Sequence, residues 1–319
     1  MATVWVYAEV TANGPKPAAL ELLAKARALG EAAAVALGPG ATSAAASLGA
    51  HGAVTVYASD DPQFAEHEAR PAAHTLAGLV REHRPDLMLF ASTYDSRDVA
   101  ARLQALLGST LMANATDVLS VDHARTEIFG ATAIVDVELG GPAPRIVLAR
   151  PRAFAAEPVG GEAEVVPVAA TVPDDLRRAR VLERHEETAG GPKLGDARVV
   201  IAGGRGLGGP DGFALLDELA AAIGGAAVGA SRAAVDAGWI PYSHQIGQTG
   251  ATVKPDVYLA AGISGALQHV VGMKGAARIV TINKDPDAPL LRMADLGVVG
   301  DLFTLVPKLT EEIRRRKGV

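Results

Sequence analysis

The segment from Arg198 to Asp301 constrains the chain most. It reads as a series of buried strands, each closing abruptly in glycine or polar residues. VVIA runs into GGRG, AAV into GASR, VYLAA into GISG, RIVT into INKD, and LGVV into GD. Strands alternating with helices imply a parallel sheet. In an open α/β sheet the loops at the carboxyl ends of neighbouring strands converge on one crevice, where ligands bind. Arg205, Ser231, Arg232, Ser264, Asn283 and Asp301 are therefore expected to point at one place. Two arginines, several helix N-termini and few acids suit a long, anionic ligand of nucleotide type.

Composition narrows the classes. The 319 residues suggest two domains of roughly 150 each. Half of the chain is hydrophobic, enough for two cores, whereas aromatics make up only 4% and the net charge is −6. Those values argue against a nucleic-acid binder, which needs stacking rings and positive charge. With no cysteine, disulfides, Cys-ligated zinc, iron–sulfur clusters and thiol catalysis are excluded. MATVWVYAEV opens directly as a strand, and no apolar run reaches the roughly 18 residues of a membrane span. The expected location is the cytoplasm, with no membrane insertion.

The first half carries its own strand–helix alternation. Residues 3–10, 32–37, 53–58 and 86–91 read as strands. Residues 17–29, 64–83 and 96–107 read as helices. IFGATAIVDVEL and PRIVLARPRAF look like paired, antiparallel extended segments. HEETAGGPKLGD (185–196) is the linker candidate. The expected division is an N-terminal parallel-sheet α/β domain, 1–189, followed by a doubly wound domain, 190–319. In the latter, helices are expected at about 211–223, 231–237, 265–272, 287–294 and 301–316. Ser92, Asp95 and Arg97 share one strand-end loop of the first domain and are read as ordinary capping or a weak site. The acidic pairs Asp60–Asp61, Asp174–Asp175 and Glu186–Glu187 read as caps and turns rather than acid–base pairs. The closing RRRK (314–317) reads as favourable charge at a helix end on a solvated surface.

The identity of the ligand turns on two loops. VVIAGGRGLGG holds G-x-G-x-x-G at Gly204, Gly206 and Gly209, which marks either a phosphate loop or a tight strand-to-helix turn. A dinucleotide fingerprint also wants an acid at the end of the next strand, to bind a ribose. Here Ala230, Ser231 and Arg232 stand in that place, so the loop is phosphate-proximal but not of the NAD type. The longest loop, 238–258, contains GQTG, where glycine-flanked Gln248 and Thr249 let a flat ligand approach. GISGALQH follows, with Ser264 expected to cap a helix carrying Gln268 and His269. A reduced flavin gathers negative charge on its N1/C2 carbonyl edge, which a His or Gln donor can stabilise. Thr249 can serve N5, and Arg232 beside the ring would favour the anionic semiquinone. His269 alone would read as an ordinary helix histidine.

GGRGL, VGASRAAVDAGW, IGQTG, LAAGISGALQH, GMK, TINKDPDAP and LGVVGDLF, in this order and spacing, closely resemble the electron transfer flavoprotein alpha subunit. YAEV and ARPRAF extend the likeness more loosely into the first domain. The resemblance implies a C-terminal doubly wound FAD-binding domain. It places Arg205 at the pyrophosphate, and Ser231 and Arg232 by the flavin. Ile246, Gly247, Gln248 and Thr249 would line the ring, with Thr249 on N5. Ser264, Gly265, Ala266, Leu267, Gln268 and His269 would hold the ribityl–phosphate region and the flavin O2 edge. Asn283, Asp301 and Leu302 would lie at the adenosine half. It further implies a heterodimer with a beta subunit, contacted by the N-terminal domain, one FAD per heterodimer and a structural AMP in the beta subunit. Electrons would pass from acyl-CoA and other dehydrogenases to a membrane quinone oxidoreductase. No catalytic residue of its own and no metal is expected. The alternative is a bifurcating version that oxidises NADH at a second FAD in the beta subunit. The chain departs from many relatives in having no basic residue after GRGL, and PYSHQ before IGQTG.

Overall fold

Runs of Val, Ala and Leu become parallel strands in both halves of the chain. The computed structural model describes residues 1–129, 132–170, 172–183, 192–195 and 197–318. The chain divides into two units, Met1–Arg184 and His185–Val319. The expected boundary at 189/190, much of the linker candidate and the Glu186–Glu187 pair lie outside the described residues.

The first unit opens with β1 (Thr3–Tyr7), the short hairpin of β2 (Val10–Thr11) and β3 (Gly14–Pro15), and α1 (Pro17–Leu29). It continues through β4 (Glu31–Leu37), α2 (Ala41–Ala50), β5 (Thr55–Ser59), α3 (Gln63–Glu66), α4 (Arg70–His83), β6 (Leu87–Ala91) and α5 (Tyr94–Leu107). β7 (Leu111–Val118), β8 (His123–Ile128), β9 (Ala133–Glu138), β10 (Arg145–Ala149) and β11 (Glu164–Pro167) complete it. The sheet order is β11-β5-β4-β1-β6-β10-β7-β8-β9. Helices cover both faces of its centre, so β6 is buried along its whole length, as a continuous apolar run in a parallel sheet must be.

Three expectations need correction here. The antiparallel pairings in this sheet are those of β8, with β9 on one side and β7 on the other. PRIVLAR instead forms β10, which inserts parallel between β6 and β7. The single helix expected over 64–83 is interrupted at His67, where the backbone is extended. ATSAAASLGA, which forms α2, has little contrast between its faces and so carries no helical period. Of the acidic pairs, Asp60–Asp61 serves turns: Asp60 accepts from the Gly40 and Thr42 amides ahead of and within α2, and Asp61 from that of Gln63.

The second unit is β12 (Val199–Gly203), α6 (Gly212–Ile223), β13 (Ala226–Ala230), α7 (Arg232–Asp236), β14 (Val257–Ala261) and α8 (Leu267–Val270). β15 (Ile279–Asn283), α9 (Pro289–Met293), β16 (Leu296–Val299) and α10 (Leu302–Lys317) follow. All strands are parallel, in the order β13-β12-β14-β15-β16. The period-two alternation of a strand gives it two cores. Val200, Ala202, Tyr258 and Ala260 pack on one face; Ile201, Leu259 and Ala261 pack on the other, against Leu216 of α6 and Val306 of α10. At the end of α10, Arg315 and Arg316 both bind Glu312, and Lys317 donates to the Ile223 carbonyl. Thus both arginines have a carboxylate partner on the solvated face.

Candidate functional site

Strand order in the second unit reverses between β12 and β14, which creates a crevice at their carboxyl ends. Register makes the convergence definite. Ala230, Gly203 and Ala261 lie side by side, and Ala261 faces Ile282. The next residues on these strands, Ser231, Gly204, Gly262 and Asn283, therefore emerge at one level. Gly204 and Gly262 let the two central loops close on each other. A Cβ on Gly204 would lie 2.4 Å from the Gly262 carbonyl oxygen, and one on Gly262, whose φ is +67°, would lie 2.7 Å from the Gly206 Cα. The amide of Gly206 donates to the Gly262 carbonyl at 3.0 Å and fixes that approach.

The long loop after α7 folds back over the same level. The Ile246 amide donates to the Ala230 carbonyl, and the Gln248 amide to that of Gln268. Gln245, 3% exposed, donates from Nε2 to the Thr249 hydroxyl at 3.0 Å. Tyr242 donates to the Thr249 carbonyl. Together these elements bound a cleft of about 770 Å³, within the roughly 300–1,000 Å³ usual for small-molecule sites.

Arg205, Ser231, Arg232, Ile246, Gly247, Gln248, Thr249, Ser264, Ala266, Gln268, His269 and Asn283 line this cleft, as expected of one ligand site. Gly265, Leu267, Asp301 and Leu302 do not. Gly265, at φ +90°, lies so close to Leu290 that a Cβ would meet its amide nitrogen at 2.6 Å. Leu267 is exposed, and Leu302 is buried in the core. Asp301 caps α10 through the Phe303 amide and the Thr304 hydroxyl. It follows β16, an edge strand two places from β14, so it starts about 10 Å to the side of the crevice.

Ser264 does not cap a helix, because α8 starts at Leu267 with Ala266 at its N-cap position. Gly262, Ile263, Ala233, Asp236, Gln245, Lys284 and Asp285 also line the cleft. Of these, Lys284 and Asp285 were signalled by the strand-end INKD, whereas Gln245 is brought in by the folding back of its loop.

Three cations, Arg205, Arg232 and Lys284, stand in the cleft against two carboxylates, Asp236 and Asp285. Among the described residues neither Arg205 nor Lys284 has a carboxylate partner, while the Nε of Arg232 is held by Asp236 at 3.1 Å. Ser231 occupies the N-cap position of α7 without using its side chain there, and its Oγ is buried with no hydrogen-bond partner. His269 is 6% exposed; its Nε2 lies 2.7 Å from the Tyr258 hydroxyl, and its Nδ1 is buried without a well-formed hydrogen bond. Burial lowers the His269 pKa to about 4, an effect that the neighbouring Ile246 carbonyl partly opposes. The ring is neutral at pH 7. Asn283 lines the cleft too, but its amide already donates to the Ile263 carbonyl and accepts from the Asp285 amide.

This arrangement fits an acceptor-rich nucleotide cofactor. Two buried polar atoms await partners, glycines open the backbone, and cations outnumber acids. The structure does correct one argument: α7 and α8 span only 5 and 4 residues, so side chains rather than helix dipoles supply most of the positive potential. In the first unit, the Nε of Arg97 donates to Ser92, and Thr93 caps α5.

A family model described as the electron transfer flavoprotein domain matches residues 4–175, and one described as the electron transfer flavoprotein FAD-binding domain matches residues 193–274. The chain is 40% identical to the electron transfer flavoprotein subunit alpha of Mycobacterium leprae (strain TN) and 42% to that of Mycobacterium tuberculosis (strain ATCC 25618 / H37Rv), covering 100% of each chain in both cases. Identity to the alpha subunit of Thermoanaerobacterium thermosaccharolyticum is 37%, over 98% of both chains. Among solved structures, a Streptomyces glycosyltransferase, SsfS6, aligns over 99% of this chain and 94% of its own with a TM-score of 0.28 and 14% identity, too distant to bear on the fold. The chain belongs to the electron transfer flavoprotein family, as an alpha subunit whose second unit carries the family's FAD-binding domain.

Proposed function

We propose that the cleft at the β12/β14 switch point holds the flavin half and the pyrophosphate of one FAD. On this reading the chain works with a beta subunit as a one-flavin electron carrier between acyl-CoA dehydrogenases, or similar flavoenzymes, and a membrane quinone oxidoreductase. The observation that carries the reading is the common level of Ser231, Gly204, Gly262 and Asn283, around a cleft with two buried polar atoms that lack partners. Bound FAD supplies the redox chemistry, taking up and releasing electrons, while the protein supplies orientation and field.

The roles of the side chains follow from their chemistry. Arg205 and Lys284 offer charge-assisted donors to phosphate oxygens. Ser231 and Thr249 offer hydroxyls, the latter oriented by Gln245. Neutral His269 offers one N–H and carries no charge of its own. Arg232, tethered by Asp236, adds positive potential at the rim of the cleft. A carrier needs an accessible flavin edge rather than a substrate pocket, and the first unit is assigned to contact with the beta subunit.

Co-expression with the beta subunit, followed by absorbance and mass spectrometry of the purified complex, tests this. The expected result is a yellow complex with one FAD and one AMP. A colourless, folded complex that takes up no added FAD would end the reading. Two FAD and no AMP would replace it with the bifurcating alternative.

A further inference from the structure

Tyr258 lies on β14 with its side chain fully buried, in a core with Val200, Ala260 and Met273. Among the described residues its hydroxyl has one partner, Nε2 of His269 at 2.7 Å. The second ring nitrogen, Nδ1, is buried and lacks a well-formed hydrogen bond, in a ring that lines the cleft. A neutral imidazole carries one proton, so one nitrogen donates and the other accepts.

Two arrangements satisfy the 2.7 Å contact. In one, Nε2–H donates to Tyr258. The tyrosine proton then has no acceptor in an apolar core, and Nδ1 shows the cleft a lone pair that also has no partner. In the other, Tyr258 donates to Nε2. All protons but one are then used, and the remaining Nδ1–H stands beside the Ile246 carbonyl, ready for a better acceptor. The first leaves two unmet groups and the second leaves one. Buried polar groups without partners are rare because each forfeits its solvation. The second arrangement therefore prevails.

We infer that Tyr258 is a positioning residue: by donating to Nε2 of His269 it holds the ring in the tautomer whose Nδ1–H serves an acceptor in the cleft. The inference rests on the reading that this acceptor belongs to bound FAD. A histidine able to exchange tautomers would meet an electron-rich ligand edge with a lone pair part of the time. Locked by Tyr258, it is a permanent donor that needs no rearrangement as negative charge gathers opposite it, which is how preorganised donors act. Its partner hydroxyl lies in the sheet core, out of reach of solvent.

The test uses the full chain, labelled with ¹⁵N at histidine and paired with unlabelled beta subunit. Long-range ¹H–¹⁵N spectra distinguish protonated from unprotonated ring nitrogens, and His269→Asn identifies the His269 signals among the 8 histidines. The parent should show Nδ1 protonated and Nε2 unprotonated. Tyr258→Phe should move the proton to Nε2 in a large fraction of molecules. It should also weaken the preference for reduced over oxidised FAD by about ten-fold, the scale of one charge-assisted hydrogen bond, read from the reduction potential. In a His269→Asn background the same substitution should leave the potential where it was.

A parent ring protonated on Nε2 overturns the inference, and so does a Tyr258→Phe complex with unchanged tautomer and potential. The parent spectrum decides even where Tyr258→Phe assembles poorly. If the complex takes up no FAD, the functional reading falls, while the ring spectrum still reports on Tyr258 by itself.

Discussion

In the first unit the strand order reverses between β1 and β6. There Glu9, just past β1, accepts from Thr93 and Ser96 at the start of α5 and from Lys16. In the second unit the order reverses between β12 and β14, and there Ser231 Oγ is buried without a partner and His269 Nδ1 without a well-formed hydrogen bond. Both are switch points between parallel strands, and the polar groups at the strand ends are treated in opposite ways. One crevice is filled by the chain's own carboxylate, in the position a ligand anion would take over a helix start. The other keeps its donors for something else. A switch point is thus only an opportunity, and which residues already satisfy one another decides whether it becomes a site.

The comparison breaks most severely at Gly262. Its φ of +67° and the 2.7 Å from an added Cβ to the Gly206 Cα leave no room on either side. Gly262→Val should cost at least about 4 kcal/mol, combining backbone strain with overpacking. It should abolish FAD binding, as seen in denaturant titration and in the flavin content of the purified complex.

Acid should then distinguish the units. The pKa of His269 is lowered from 6.5 to about 4 in the folded state. Above pH 6.5 the ring is neutral in both states and has no effect. As pH falls from 6.5 to 4 the unfolded chain binds a proton that the folded chain refuses, so stability declines. The loss reaches about 3 kcal/mol. Urea midpoints of the second unit should fall across that window, and His269→Asn should flatten the slope. A slope that survives the substitution would assign the acid sensitivity elsewhere.

Glu9→Ala probes the filled crevice. Removing the carboxylate, whose side chain is 9% exposed, strips the Thr93 and Ser96 hydroxyls of their shared acceptor. The expected cost is about 2 kcal/mol, since Lys16 can turn to solvent but the buried Ser96 hydroxyl cannot. FAD content should not change. A loss of FAD on Glu9→Ala would mean that the two crevices are not independent.

The open crevice was the part of this chain most legible in the sequence, because each buried run in 198–301 stops at a glycine or polar residue and parallel neighbours end together. What stayed hidden is non-local. The place of β10 between β6 and β7 depends on pairing with two strands that both lie well upstream in the chain. Asp301, the sixth residue of the expected cluster, does not line the cleft, since a strand end says nothing of how far its strand stands from the switch point. Gln245 and Tyr258 gave no signal for a different reason: one lies in a loop that folds back, and the other reads as core. Their roles come from single hydrogen bonds, to Thr249 and to His269, that no periodicity announces.

The finest form of the comparison sets two hydroxyls at N-cap positions against each other. Thr93 caps α5, accepting from the Ser96 amide at 3.2 Å, and also donates to Glu9. Ser231 stands at the same position of α7 and makes no such bond. Thr93→Ala should therefore cost about 1–2 kcal/mol of stability and leave FAD affinity alone. Ser231→Ala should do the reverse. Without ligand it removes a buried polar atom that has no partner, so stability should hold or rise by a few tenths of a kcal/mol. With FAD it removes a hydrogen bond worth about 1 kcal/mol, and affinity should fall several-fold. Melting curves with and without FAD, on both variants, separate the two outcomes. If Ser231→Ala destabilised the ligand-free complex as much as Thr93→Ala does, its hydroxyl would already be satisfied within the protein, and the contrast between a filled and an open crevice would lose its clearest atom.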